Sequence, residues 1–118
     1  MDSYEGYDIQ LANYKVAGTV TDEEGNPVKG IQVVPVFEYD GSDFSDLLYT
    51  DKEGKYDKSY SLSLAKSIIL TFNDIDADAN GGSFESITVK ANIEETENAK
   101  GAFAGSYLVG YDAVLKRK

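Results

Sequence analysis

The feature that most constrains the fold is a period-two alternation of residue types that begins at Tyr14 and ends at an acidic turn. Side chains two residues apart lie on the same face of a β-strand, so Tyr14, Val16 and Val20 are expected to share one buried face. Residues 22–27 then combine a glycine, which tolerates positive φ, with a proline, whose φ is fixed. This pattern predicts a strand followed by a tight turn, and the segment 49–56 repeats a similar turn.

Six further segments have the composition of strands, and each is bounded by Gly, Asp, Asn or Ser. They are residues 30–39, 46–50, 55–64, 66–72, 84–93 and 107–115. The segment 30–39 is apolar enough to be covered on both faces, and in 84–93 we expect Ile87, Val89 and Ile93 to point into the core. The run from Ile93 to Lys100 has no apolar face and is predicted to be a loop. Seven strands without an amphipathic helix indicate an all-β fold, a seven-stranded Greek-key β-sandwich.

The composition excludes several classes of function. The chain has 118 residues, enough for one domain, and we assign residues 1–13 to an N-terminal tether and residues 14–118 to the domain. It has no cysteine and no histidine, which excludes disulfides, thiolate or imidazole metal sites and histidine-dependent triads. The net charge of −10 repels phosphate backbones, so nucleic acid is not an expected partner. The basic residues 116–118 are predicted to solubilise the end of the chain.

The first turn and its flanking strands resemble the carboxypeptidase regulatory-like domain, whose pattern is close to V-x-G-x-V-x-D-x-x-G-x-P-x-x-G-x-x-V. The matching residues are Val16, Gly18, Val20, Asp22, Gly25, Pro27, Gly30 and Val33. A later segment, Thr50-Asp51-x-x-Gly54-x-Tyr56, fits the family's second motif. In both motifs the aspartate is expected to accept turn amides, and the glycine to stand where the backbone turns. The resemblance implies a prealbumin-like, or transthyretin-like, sandwich.

A narrower resemblance covers nearly all of residues 14–118. The two motifs are followed by F-x-D-x-D-x-x-x-N-G-G-x-F at residues 72–84 and by a basic strand end. This order is similar to that of the lipoproteins associated with radical SAM enzymes in Bacteroidota. The resemblance implies a protein of the cell envelope, an outer-membrane lipoprotein that faces either the periplasm or the surface. Contact with the membrane is then expected only through a lipid anchor, whose cysteine this sequence lacks.

That family has no established activity, so the resemblance implies a non-catalytic accessory module with an unknown protein or glycan partner. Transthyretin-like folds also include purine-catabolic hydrolases and iron-dependent ring-cleaving dioxygenases, but both depend on histidine, so we do not expect an enzyme. The resemblance also implies an alternative function, in which the protein is a substrate or carrier for a radical SAM enzyme.

The candidate exposed aromatic contacts are Tyr4, Tyr7, Tyr39 and Tyr49. A Lys15–Asp112 cross-link is a further alternative to an ordinary surface ion pair.

The sharpest candidate for chemistry is an acidic loop between the strands 66–72 and 84–93, which is predicted to bind calcium. The candidate ligands are Asp74, Asp76, Asp78, Asn80 and Glu85. Carboxylates at alternate positions before Asn-Gly are typical of a calcium loop, whose hard oxygens converge on one ion. The match is incomplete, because counting from Asp74 places Ala79 where glycine is required, and counting from Asp76 places Ile87 at the last ligand position. The alternative is a polar hairpin turn with Asn80-Gly81 at its tip.

Overall fold

The structure is a computed structural model in which residues 10–76, 79 and 82–118 are described. This part of the chain contains ten strands and no helix. The strands are β1 (Leu11–Asp22), β2 (Ile31–Glu38), β3 (Asp43–Ser45), β4 (Leu48–Tyr49), β5 (Lys55–Ser63), β6 (Ser67–Asp74), β7 (Ile87–Lys90), β8 (Asn92–Glu97), β9 (Phe103–Gly110) and β10 (Ala113–Leu115). The prediction of an all-β fold is confirmed. Residues 1–9 of the predicted tether lie outside the described residues, and β1 begins at Leu11, before the predicted boundary at Tyr14.

The strands form two sheets in a sandwich-like arrangement. In sheet 1, β1 pairs with the antiparallel β5 and with the parallel β9, and β8 pairs with β9 at the edge. The short β10 runs parallel to the end of β1. In sheet 2 the order is β3, β2, β6, β7, and β4 also pairs with β2. All pairs of sheet 2 are antiparallel.

The inner faces of the two sheets supply one hydrophobic core. Burial alternates along β1, and Tyr14, Val16 and Val20 are buried as predicted. Burial also alternates along β2, so the prediction that this strand is covered on both faces is wrong. Val34 and Val36 lie on the outer face of β2 and are only partly buried, because no further layer covers that side within the described chain.

Tyr56 interrupts the predicted strand 107–115. Its hydroxyl donates to the carbonyl of Tyr111 at 2.6 Å and accepts the N–H of Tyr111 at 3.0 Å, so β9 ends before this residue. Burial raises the pKa of Tyr56 to about 12, although the bond with Tyr111 opposes the shift. The ring reaches across β1 above Gly18, where a Cβ would collide with the hydroxyl. The glycine of the first motif is therefore required by a tertiary contact.

Pro35 explains why two short strands, rather than one continuous strand, pair with one side of β2. On one side β2 pairs with β6 along its whole length, and on the other side only with β4 and β3 at separate ends. Proline has no N–H to donate, so continuous pairing on that side is not available at this position. The Pro35 carbonyl accepts the N–H of Asp46 at 3.3 Å, between the two short strands. The predicted strand 46–50 is thus reduced to Leu48–Tyr49.

The predictions for residues 84–100 are wrong in detail. β7 starts only at Ile87, and Phe84 forms a β-bridge with Arg117 instead. The chain leaves sheet 2 at Ala91, whose N–H donates to a carbonyl of β6 at 3.0 Å, and enters sheet 1 as β8. Ile93 therefore lies on an edge strand and is 49% exposed. The glutamate-rich run has no apolar face, but it forms the strand β8 because its backbone pairs with β9.

Two turns are closed by the same side-chain device. Asp22 Oδ1 accepts the backbone N–H groups two and four residues later, each at 2.9 Å. Asp51 Oδ1 accepts the equivalent N–H groups at 2.8 and 3.0 Å. Gly25 and Gly54 have φ of +86° and +75° in these turns, so the predicted roles of aspartate and glycine are confirmed. The turns also touch, because the N–H of Val20 donates to the carbonyl of Gly54 at 2.7 Å.

Candidate functional site

The acidic loop begins at Asp74, the last residue of β6, whose carboxylate closes the loop. Asp74 Oδ2 accepts the N–H of Phe84 at 2.9 Å, and Oδ1 accepts the N–H of Asp76 at 3.3 Å. Burial and a hydrogen bond with the Asp76 side chain raise the pKa of Asp74, while the two backbone N–H groups oppose the shift. Both oxygens of Asp74 therefore serve the loop's own backbone.

The candidate calcium ligands are only partly located. Asp78 and Asn80 lie outside the described residues, as does the proposed Asn80-Gly81 turn. Glu85 is exposed, and its N–H donates to the carbonyl of Lys116 at 2.8 Å. Among the residues that the structure does describe, no three acidic side chains come together as a metal site. Calcium binding by this loop stays a prediction.

The basic residues 116–118 are part of the fold, contrary to the prediction that they only solubilise the chain end. Arg117 pairs with Phe84, its guanidinium lies 5.0 Å from the centre of the Phe84 ring, and its Nη2 lies 3.0 Å from Asp22 Oδ2. Asp22 is only 4% exposed. Its burial alone would raise the pKa of Asp22, but hydrogen bonds from Asn26 and Glu24 and the charge of Arg117 hold that pKa below its usual value. We call Asp22, Arg117 and Phe84 the arginine clamp.

A groove of about 860 Å³ crosses the outer face of sheet 1. The outward-facing side chains of β5, β1 and β9 form its floor, in rows that the strand register sets. One row is Ser61, Asn13 and Ser106, and the next is Ser59, Lys15 and Leu108. Cross-strand neighbours on one face of a sheet lie within contact distance of each other, so the rows form a continuous surface.

The lining of the groove combines neutral polar side chains with apolar surface. Within the described chain, the side chains of Asn13, Ser59, Ser61 and Thr96 make no hydrogen bond. Among the described residues, one ion pair belongs to the lining: it joins Lys15 Nζ to Asp57 Oδ2 at 3.7 Å, and both side chains are more than half exposed. Because these polar groups are not committed to one another, they are free to bind a ligand in place of water.

Asp112 is not the partner of Lys15. Its carboxylate accepts the N–H of Thr19 at 3.0 Å and so joins β1 to the segment between β9 and β10. Lys15 pairs with Asp57 on β5 instead. The structure therefore gives the Lys15–Asp112 cross-link no support and favours the ordinary surface ion pair.

A smaller recess and two β-bulges extend the groove. The recess has a volume of about 290 Å³ and shares Ala17 and Leu108 with the groove. Near Ser106 the register shifts in the pairing of β9 with both β1 and β8. Bulges are frequent beside functional sites, where they redirect a side chain, and here Thr96 of β8 joins the groove lining.

The sequence carried only one signal for this groove, the alternation of small polar residues along β5. Of the candidate aromatic contacts, Tyr39 and Tyr49 do not line it. Tyr49 is half exposed on β4, and the Tyr39 hydroxyl donates to the carbonyl of Ser63 at 2.7 Å. Tyr4 and Tyr7 lie outside the described residues.

Comparison with known proteins informs the fold. No protein-family model and no curated protein matches the sequence. The structure is similar to 3-chlorocatechol 1,2-dioxygenase from Rhodococcus opacus 1CP, with a TM-score of 0.60 and 10% identity over 100% of this chain and 64% of that one. Chlorocatechol 1,2-dioxygenase from Pseudomonas putida gives 0.55 and 14% over 93% and 64%. The major plantain pollen allergen Pla l 1 gives 0.52 and 14% over 90% and 94%.

These similarities show the fold alone, because the identities are only 10–14%. The chain spans 64% of the length of the two dioxygenases. The similarities neither establish nor exclude enzymatic activity for this chain. The described residues include no helix long and apolar enough to cross a membrane.

Proposed function

We propose that this protein is a non-catalytic interaction module of the cell envelope that binds its partner through the groove on the outer face of sheet 1. We also propose the prealbumin-like Greek-key arrangement for its sandwich. In this arrangement seven of the ten described strands form the sandwich, and the other three, β3, β8 and β10, are additions to it. The envelope location and the lipid anchor come from the family resemblance, and intact-mass measurement of the protein from its native cell tests both the anchor and a radical SAM modification.

The observation that supports an interaction role is the concentration of uncommitted polar groups in a groove over the paired strands of sheet 1. β1 is paired on both sides, so the side chains of Asn13 and Lys15 stand on a fixed backbone. Preorganised side chains lose little conformational freedom on binding, which favours affinity. Leu108 is 39% exposed in the middle of the groove and adds apolar contact area.

The test is to fill the groove without disturbing the core. Ser61→Trp places a large ring on the outer face of β5, and Thr88→Trp places the same ring on the outer face of β7 in sheet 2 as the matched control. Wild type and both variants are immobilised and exposed to envelope extract. We expect material retained by wild type and Thr88→Trp to be lost by Ser61→Trp. Equal retention by all three would rule out the groove as the binding site.

A cation-binding role is the second candidate, favoured by the contact between the Asp74 and Asp76 carboxyl groups. Burial is the main cause of the raised pKa of Asp74, and the contact with Asp76 is the second. A cation bound between the two carboxylates would relieve the repulsion between their charges. Calcium that binds only the folded protein raises its melting temperature by mass action. After chelation, millimolar calcium should therefore stabilise wild type but not Asp76→Ala. An unchanged melting temperature in wild type removes this candidate.

A further inference from the structure

We infer that the ligand of the groove is an uncharged, hydroxyl-rich chain, that is, a neutral oligosaccharide; the inference rests on the function proposed above. The lining side chains Ser59, Ser61 and Thr96 each offer one hydroxyl donor and two acceptor lone pairs, and Asn13 adds an amide. Sugar hydroxyls also donate and accept at the same atom. The two sets of groups can therefore satisfy each other in several orientations.

The position of the groove disfavours an extended peptide. The middle of its floor is formed by β1 and β9, whose backbone groups are paired with neighbouring strands on both sides, and only its borders at β5 and β8 adjoin edge strands. Extended peptides bind sheets by pairing with a free edge, and laid across a sheet face their N–H and C=O groups would lose water without finding partners. A sugar ring presents C–H faces between its hydroxyls, and Leu108 and Ala17 offer those faces an apolar floor.

The charges around the groove disfavour anionic ligands. Lys15 is neutralised by Asp57, so the main groove carries no net charge in its lining. The smaller recess is lined by Glu94 and Asp112 and by no basic residue. The chain as a whole carries a net charge of −10, which adds a repulsive field for anions. An acidic polysaccharide is thus repelled from both parts of the groove.

Titration calorimetry with defined hexamers tests the inference. The neutral probes are maltohexaose, mannohexaose and chitohexaose, and the charged probes are hexagalacturonate and hexalysine. We expect saturable binding of at least one neutral sugar, roughly tenfold or more weaker in Ser61→Trp and unchanged in Thr88→Trp. Asn13→Ala, which removes one polar side chain without adding bulk, should weaken the same sugar severalfold and covers the case in which Ser61→Trp fails to fold.

The outcomes separate the ligand class from the proposed function. Failure of all three neutral sugars to bind, or tighter binding of hexalysine, overturns the inference. If Ser61→Trp still loses material from the envelope extract in that case, the interaction role stands and its ligand is of another class. Neutral sugar binding that is equal in Ser61→Trp and Thr88→Trp places the sugar outside the groove and also overturns the inference.

Discussion

The turns at Asp22 and Asp51 have the same local chemistry but different surroundings. Both aspartates accept two backbone N–H groups, and both turns contain a glycine with positive φ. In the first turn the aspartate is buried and bound by Arg117, while no atom of the described residues lies within 4 Å of a Cβ built at Gly25. In the second turn the aspartate is exposed, and it is Gly54 that packs against another part of the chain. The same motif therefore carries its tertiary contact on a different residue each time.

The largest expected effect is at Gly54. A Cβ there would collide with the carbonyl of Val20 and lie 3.2 Å from Pro27 Cβ, in a backbone conformation that already disfavours side chains. Gly54→Ala should lower the free energy of unfolding by about 3 kcal/mol, the sum of left-handed strain and overpacking. Gly25→Ala, with open space around it, should cost only about 1 kcal/mol. Urea unfolding of both variants measures the difference, and equal losses would show that tertiary contact at Gly54 is unimportant.

The second effect concerns the two aspartates, where the first turn, and not the second, is expected to be the more sensitive to substitution. Asp51 uses only Oδ1, so Asp51→Asn keeps an acceptor in place and should leave the melting temperature nearly unchanged. Asp22 also uses Oδ2, which accepts from Asn26 Nδ2 at 3.2 Å and from Arg117. Asp22→Asn sets an amide donor against these donors and should lower the melting temperature by several degrees. Scanning calorimetry that finds the two variants alike would contradict the comparison.

A smaller effect is expected for the arginine clamp. Arg117→Met keeps length and apolar contact but removes the charge beside buried Asp22 and above Phe84, which should cost about 1–2 kcal/mol. Lys116→Met, whose side chain is exposed, is the matched control and should be neutral. A double-mutant cycle of Arg117→Met with Asp22→Asn should show coupling between the two sites. Additive losses would mean that the ion pair does not stabilise the fold.

The smallest effect is the contribution of the two turn carboxyls to acid stability. Hydrogen bonds from Lys55 and Glu53 hold the pKa of Asp51 below its usual value, as the contacts described above do for Asp22. A depressed folded-state pKa contributes stability that is full above the unfolded pKa and is lost as the pH falls through the folded one. Wild type should therefore lose stability below about pH 4, and the double variant Asp22→Asn/Asp51→Asn should lose less. Equal slopes in urea midpoints from pH 5 to 2 would contradict this.

Local patterns in the sequence predicted local structure well. The alternation in β1, the turn roles of Asp22 and Asp51 and the all-β class follow from neighbours within a few residues, and all are confirmed. The strand β8 was missed because backbone pairing with β9 holds it, and glutamate content does not reveal such pairing. The role of Arg117 was missed for a similar reason, because its partner Asp22 lies 95 residues away in the sequence.

The groove was the least predictable part. Asn13, Ser59 and Ser106 come from three strands, and they become neighbours only through the register of β1 with β5 and β9. A shift of one residue would turn each of these side chains to the other face. Alternation identifies the outer residues of each strand, but it does not say which strands lie side by side.

The pairing of β1 has a consequence for the time course of folding. Thr19 and Asp112, which join β1 to the end of sheet 1, are separated by 93 residues. At a synthesis rate of about 5–20 residues per second, β1 waits roughly 5 to 20 seconds for its parallel neighbour to be made. Contacts this distant in sequence also form slowly, because the loop between them must first close. During that interval β5 can already pair with one edge of β1, but the edge that faces β9 stays unpaired, so the nascent chain has a defined window in which a chaperone can bind that edge.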